Sequence, residues 1–236
     1  MTTFASPADT TGRVLMVDDE TELAASTVEY LAAFGLKATY VTTAEKARIF
    51  LRRNPVDLIL LDINLPDGSG FQLCRELRAG SKHANTPIIF LTARQTDDDE
   101  ILALSIGGDD YVRKPYSLAV LLAKVRRMLA RRTVTTGQVT YDDGRLKLEG
   151  GRVFINNTEI VMTAMEYRLL DHLVANQNNV VSKADLFEHV WQEPFTSDGT
   201  LNVHIRRLRK HIEPNPDDPT YVKTVWGRGY LFQGQI

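Results

Sequence analysis

Five side chains in the N-terminal half are of types that could together handle a phosphoryl group: Asp18, Asp19, Asp62, Thr92 and Lys114. They follow short apolar runs: Val14–Val17 before the acidic pair, Leu58–Leu61 before Asp62, Ile88–Leu91 before Thr92 and Tyr111–Arg113 before Lys114. Three carboxylates gathered at one place repel one another unless a cation sits among them. An all-oxygen set suits Mg²⁺, which binds carboxylates, waters and a phosphate oxygen. Asp62 is then the nucleophile, with Mg²⁺ and Lys114 offsetting the charge that develops on oxygen. Taken singly, each residue has a plainer reading: acids that end strands are often turn formers, and a lone Lys-Pro is a loop. Five of them at strand ends in this order argue for chemistry.

The elements that must position them are readable in the same stretch. Strands are expected at Val14–Val17, Ala38–Val41, Leu58–Leu61, Ile88–Leu91 and Tyr111–Val112. Helices are expected at Thr21–Phe34, Ala44–Arg53, Phe71–Arg78, Asp98–Ser105 and Ser117–Arg131. Gly35 suits a helix C-terminus, and Pro55 ends the second helix. Strict alternation implies an α/β doubly wound, five-stranded parallel sheet, flavodoxin-like, whose ligands bind outside the carboxyl ends of the strands.

Length and composition allow two domains. The chain has 236 residues, with ordinary apolar (43%) and charged (25%) content, so there is enough chain for two cores. The net charge of -2 gives no general affinity for nucleic acid, so local charge must carry any such claim. A single cysteine, Cys74, reads as buried filler in a reducing, cytoplasmic setting. The apolar runs are too short to span a bilayer, so no membrane role is expected. Residues 1–12 are small and polar and read as a disordered tail without signal-peptide features. Residues 133–137 read as a linker between a domain at 13–132 and a second at 138–236.

The second half follows a different plan. Val139–Ile160 alternates short strands with turn signals at Asp143-Gly144, Gly150-Gly151 and Asn156-Asn157. Three helices follow. Thr163 and Glu166 form a capping-box pattern before Tyr167–Leu173, and Ser182 and Asp185 repeat it before Leu186–Trp191. The third helix covers about 200–212, and Tyr221–Phe232 reads as a strand pair around Gly227-Arg228-Gly229. On the third helix Leu201, Ile205, Leu208 and Ile212 form an apolar stripe. Val203, Arg206, Arg207 and Lys210 then point away, with Asn202 and Arg209 on one flank and His204 on the other. Such a helix can enter a major groove, while Arg228 at the hairpin tip can reach a minor groove. The plainer alternative is a solvated basic face.

The motifs Val17-Asp18-Asp19-Glu20, Leu61-Asp62-Ile63-Asn64-Leu65-Pro66-Asp67-Gly68, Leu91-Thr92-Ala93-Arg94 and Gly108–Pro115 resemble those of bacterial receiver domains. The resemblance implies phosphorylation of Asp62 by a sensor histidine kinase. It implies direct Mg²⁺ ligation by Asp19 and Asp62, ligation by Asp18 mainly through water, and a further ligand in the backbone carbonyl of Asn64. Thr92 would bond the phosphoryl group, Tyr111 would turn inward on activation, and Lys114–Pro115 would be a cis bond. Haloacid dehalogenase-type phosphatases also use a strand-end Asp, within an Asp-x-Asp-x-Thr pattern. Asn64 stands here where their second Asp is needed, so no general acid is in place. The chain is therefore not expected to be a turnover enzyme; its receiver promotes only its own phosphorylation and dephosphorylation.

Leu201–Lys210 with Tyr221–Tyr230, supported by Thr163–Leu170 and Trp191, resemble the α+β winged-helix effector domains of OmpR/PhoB-type regulators. The implied function is phosphorylation-dependent transcription control. The implied partners are double-stranded promoter DNA, RNA polymerase and a second copy of the chain on activation. Gly199 and Trp226 depart from the family, which often carries basic residues there; wing packing is one reading of Trp226. A protein-interaction winged helix is the competing class, and it should show fewer outward basic residues. Relatives dimerise through the fourth helix, fifth strand and fifth helix of the receiver. One of their ion pairs cannot form here, since Glu100 and Val120 occupy its positions, whereas Asp110 and Lys124 match a second. Leu118, Leu121, Leu122, Val125 and Leu129 form the core stripe of the fifth helix, leaving Val120 on the opposite side.

Overall fold

Unbroken apolar runs flanked by helical stretches have two faces to bury, and a parallel sheet between helix layers buries both. The computed structural model has this architecture in its first half; it describes residues 12–80, 82–93, 97–130, 139–191 and 198–234. The elements run β1 (Arg13–Val17), α1 (Thr21–Ala33), β2 (Lys37–Val41), α2 (Ala44–Arg53), β3 (Leu58–Asp62), the small ladder β4 (Asn64–Leu65) with β5 (Gly68–Ser69), α3 (Gly70–Ala79), β6 (Ile88–Thr92), α4 (Asp97–Ile106), β7 (Asp110–Arg113) and α5 (Leu118–Ala130). The main sheet is parallel, in the order β2-β1-β3-β6-β7. Every residue of β3 and β6 is buried. The expected tail lies almost wholly outside the described residues, as do the expected linker, Arg94, and the side chain of Glu100.

The second half continues with β8 (Tyr141–Asp142), β9 (Leu146–Glu149), β10 (Arg152–Ile155), β11 (Thr158–Ile160), α6 (Ala164–Ala175), β12 (Val180–Ser182), α7 (Lys183–Leu186) running into a π turn at Phe187–Trp191, α8 (Asp198–Ile212), β13 (Val222–Val225) and β14 (Gly229–Phe232). The antiparallel sheet β11-β10-β9-β8 turns at the expected places: Gly144, Gly150, Gly151, Asn156 and Asn157 all have positive φ. The Thr163–Glu166 capping box forms in both directions. β12 was not expected from the sequence; it pairs with β14 and makes a three-stranded sheet β12-β14-β13. Gly229 is required at that crossing, because a Cβ there would lie 2.0 Å from the Val181 carbonyl oxygen and φ is 145°.

The two halves pack together. One continuous apolar cluster runs from α1 and α5, through Leu121 and Met128, into the C-terminal core around Leu169, Trp191 and Phe232. α4 lies along α8. Arg127 of α5 donates to the Trp191 carbonyl. On α5 the buried stripe is Leu121, Leu122, Val125, Met128 and Leu129, with Leu118 only partly covered and Val120 exposed. Among the described residues no helix is long and apolar enough to cross a membrane.

Candidate functional site

The parallel sheet brings the strand-end residues to one edge. Lys114, just past β7, sends its Nζ to three carboxylates: Asp18 Oδ2 at 2.8 Å, Glu20 Oε1 at 2.7 Å and Asp62 Oδ2 at 2.5 Å. Asp18 is wholly buried and Asp62 nearly so, while Asp19 is exposed. Burial pushes the Asp18 carboxyl above its usual range, against the pull of Lys114. Burial alone would lower the Lys114 ammonium, but its bonds to Asp18, Asp62 and Glu20 raise it, so it stays charged. Thr92, at the end of β6, is buried, and its carbonyl accepts from the Lys114 N–H. Tyr111 on β7 is half-buried against the sheet core. The Lys114–Pro115 bond is cis.

The loop beyond Asp62 is held by contacts not expected from the sequence. The Asn64 N–H donates to Asp62 Oδ1 at 2.9 Å. Asp67 accepts from the N–H groups of Ala44 and Glu45, capping α2 and tying down the loop. Gly70 lets α3 start against the end of β3, since a Cβ there would meet the Asp62 carbonyl at 2.0 Å. The role of Glu20 as a third acid on Lys114 was also missed; its place directly after the acidic pair was the available signal. Asp18, Asp19 and Asp62 each bring a carboxylate oxygen within 4.8 Å of the others. With one ammonium among these acids and an all-oxygen donor set, the residues fit Mg²⁺.

In the C-terminal half, α8 and the β13–β14 hairpin enclose a groove of ≈ 630 Å³ lined by Asn202, Arg206, Arg209, Trp226 and Arg228, with Lys183 at its side. Arg206 and Arg228 are exposed, as is Lys210. Asn202 accepts from the Tyr230 hydroxyl at 2.8 Å. Arg209 lies in the groove but is committed to the fold, donating to the Val222 carbonyl and the Thr224 hydroxyl. Trp226 is 90% exposed, which rules out the wing-packing reading.

Three residues grouped with these in the sequence reading lie elsewhere. Val203 is buried rather than outward, and His204 is wholly buried against Trp191. Arg207 pairs with Glu166 at 2.7 Å and donates to the carbonyls of Leu104 and Gly108 in the first half. The reason is that α8 has two covered faces, one on its own core and one on α4, where a single stripe was expected. Burial, followed by the neighbouring Arg207, pulls the His204 imidazole down to about 4. The Asp110–Lys124 pair forms within the chain at 3.0 Å, and Arg127 joins it at 2.7 Å.

Residues 14–126 match the response regulator receiver domain family, and residues 157–232 match the family described as transcriptional regulatory protein, C terminal. The chain belongs to the OmpR/PhoB-type response regulators. The sensory transduction protein RegX3 of Mycolicibacterium smegmatis is 37% identical over 229 residues, covering 94% of this chain and 99% of that one. Response regulator SaeR of Staphylococcus aureus is 34% identical over 225 residues, covering 93% and 97%. Among solved structures, the response regulator DrrB of Thermotoga maritima is 32% identical with a TM-score of 0.52, covering 95% of this chain and 100% of that one. A mutant form of RitR is 25% identical with a TM-score of 0.74 over the same shares. As a response regulator with a transcriptional regulatory domain, the chain acts in transcription control.

Proposed function

We propose that Asp62 accepts a phosphoryl group from a sensor histidine kinase and that this event releases α8 to bind promoter DNA. The convergence of Lys114 on Asp18, Glu20 and Asp62 at the carboxyl ends of the strands carries the first part. Asp18, Asp19, Asp62 and the backbone carbonyl of Asn64 would hold Mg²⁺, which when bound supplies positive charge against the phosphoryl oxygens. An Asp62 carboxylate oxygen attacks phosphorus, the P–N bond to the donor imidazole breaks, and that imidazole leaves and takes up a proton. Lys114 then exchanges its bond to the Asp62 carboxylate for one to a phosphoryl oxygen. The Thr92 hydroxyl donates to another, and Tyr111 turns inward.

The packing of α8 on α4 supports the second part. Arg207 and Val203, two of the side chains expected to face DNA, are occupied or covered in this arrangement. Gly108, which accepts from Arg207, stands two residues before β7, the strand that carries Tyr111 and leads to Lys114. Movement of β7 and α4 on phosphorylation loosens this dock. Asn202, Arg206, Arg207, Lys210 and Arg228 then face the duplex, while Arg209 stays bonded to Val222 and Thr224. With α8 gone from α4, the α4–β7–α5 face, including Asp110, Val120 and Lys124, is open to a second copy, and the DNA-bound dimer acts on RNA polymerase in the cytoplasm. Intact-mass measurement tests the phosphoacceptor: a small phosphodonor with Mg²⁺ adds one acid-labile phosphoryl group to the wild type and none to Asp62→Asn. Undiminished labelling of the variant would remove the assignment.

A further inference from the structure

A cluster outside both sites joins two helices of the C-terminal domain. His172 lies on α6, Asp185 on α7, and His189 in the π turn that follows. Asp185 faces both imidazoles, with Oδ2 2.7 Å from His172 Nε2 and Oδ1 3.2 Å from His189 Nδ1. The rings stack at 5.4 Å with 16° between their planes. One ligand atom from each residue lies within 4.8 Å of the others. Asp185 occupies the acidic place of the Ser182-x-x-Asp185 capping pattern. Ser182 caps the Asp185 N–H at 3.1 Å, and the Asp185 carboxylate turns to the histidines.

We propose that His172, Asp185 and His189 form a binding site for a zinc-class divalent cation that staples α6 to α7. Two imidazoles and a carboxylate are a borderline-soft set suited to Zn²⁺, Co²⁺, Ni²⁺ or Cu²⁺ and poorly suited to Mg²⁺. Metal–ligand bonds of about 2.0–2.1 Å place ligand atoms roughly 3.4 Å apart in a tetrahedral site, inside the 4.8 Å that holds one ligand atom of each residue here. Each neutral imidazole can donate its one N–H to the Asp185 carboxylate, and a metal would instead take the nitrogen lone pairs. Three protein ligands leave a fourth position for water or for a ligand from a partner. The half-exposed setting of His189 gives the ion a way in.

The test is Co²⁺ titration of the full chain in excess Mg²⁺, which fills the Asp18–Asp19–Asp62 centre. The expected result is one equivalent of Co²⁺ with the strong visible bands of a low-coordinate imidazole site, displaced by Zn²⁺. His172→Gln and His189→Gln each lose the bands while keeping the wild-type far-ultraviolet circular dichroism, and Asp19→Asn keeps them. No visible bands, bands that persist in both histidine variants, or bands lost in Asp19→Asn would overturn the proposal. His189 is the most exposed of the three, so its replacement reports on the site without unfolding the domain.

Discussion

Arg207 Nε lies 2.7 Å from Glu166 Oε1, and the same guanidinium donates to the carbonyls of Leu104 and Gly108. One side chain thus ties α6, α8 and the receiver together. Glu166 is almost fully buried, and its other oxygen accepts from the Thr163 N–H at 2.8 Å, so it both caps α6 and anchors Arg207.

Removing that anchor should be costly. Glu166→Gln keeps the cap geometry but leaves Arg207 without its counter-charge, and we expect a loss of about 1–3 kcal/mol in denaturant unfolding. Burial pushes the Glu166 carboxyl up, but His211 and Arg207 more than offset it, so it titrates well below the usual range. A carboxyl depressed in the folded state stabilises above its unfolded value of about 4.3, and that contribution is lost as pH falls toward the depressed value. Unfolding midpoints measured from about pH 6 down to about pH 3 should therefore fall less steeply for Glu166→Gln than for the wild type. Parallel slopes would exclude Glu166 as a source of the acid sensitivity.

Arg127 is the second tie across the halves, bonded to Asp110 and to the Trp191 carbonyl. Arg127→Ala should loosen the dock without touching the phosphoacceptor. Unphosphorylated protein should then bind promoter DNA more tightly, by about tenfold if the tie contributes about 1.4 kcal/mol. Fluorescence anisotropy checks this; unchanged affinity would show that Arg127 does not restrain α8.

The wing offers a separate handle. At 90% exposure, Trp226 supports nothing in the fold, so Trp226→Ala should change stability by no more than about 0.5 kcal/mol. Its place beside Arg228 on the groove with Arg206 predicts weaker DNA binding for Trp226→Ala and Arg228→Ala. Arg206→Ala should cost about 1–3 kcal/mol if it makes a bidentate base contact. Gel shifts across salt separate the contacts: loss of a phosphate contact lowers the salt slope by about one, whereas loss of a base contact relaxes sequence preference.

Dimerisation can be probed on α5, beside the α4 helix that α8 covers. Val120 is exposed and Lys124 pairs with Asp110 inside the chain. With a phosphodonor and Mg²⁺, sedimentation should show dimers of the wild type and fewer for Val120→Asp and Lys124→Glu. Surface ion pairs contribute only about 0–1 kcal/mol each, so a modest salt dependence is expected. Wild-type dimerisation by both variants would place the interface elsewhere.

The receiver was legible because its signals are local. Apolar runs such as Leu58–Leu61 have only one way to be buried on both faces, and the strand ends follow from them. Turn positions such as Gly144 and Asn156 were legible through their chemistry. α8 was legible only in part for a non-local reason: a helical period locates one buried face, whereas α8 packs on α4 as well as on its own core, and Val203 and His204 are covered too, His204 against Trp191. β12 escaped because Val180–Ser182 is short and becomes a strand only by pairing with β14. Glu20 and Asp67 act through partners distant in sequence, Lys114 and the start of α2, which no spacing rule connects.

The most direct test of the account is the promoter-DNA affinity of the full chain, measured with and without a small phosphodonor in Mg²⁺, for the wild type and Asp62→Asn. The account predicts that phosphodonor tightens binding by the wild type and leaves Asp62→Asn at the unphosphorylated affinity. Equal tightening of both proteins, or no change in the wild type once mass measurement shows it phosphorylated, would contradict it.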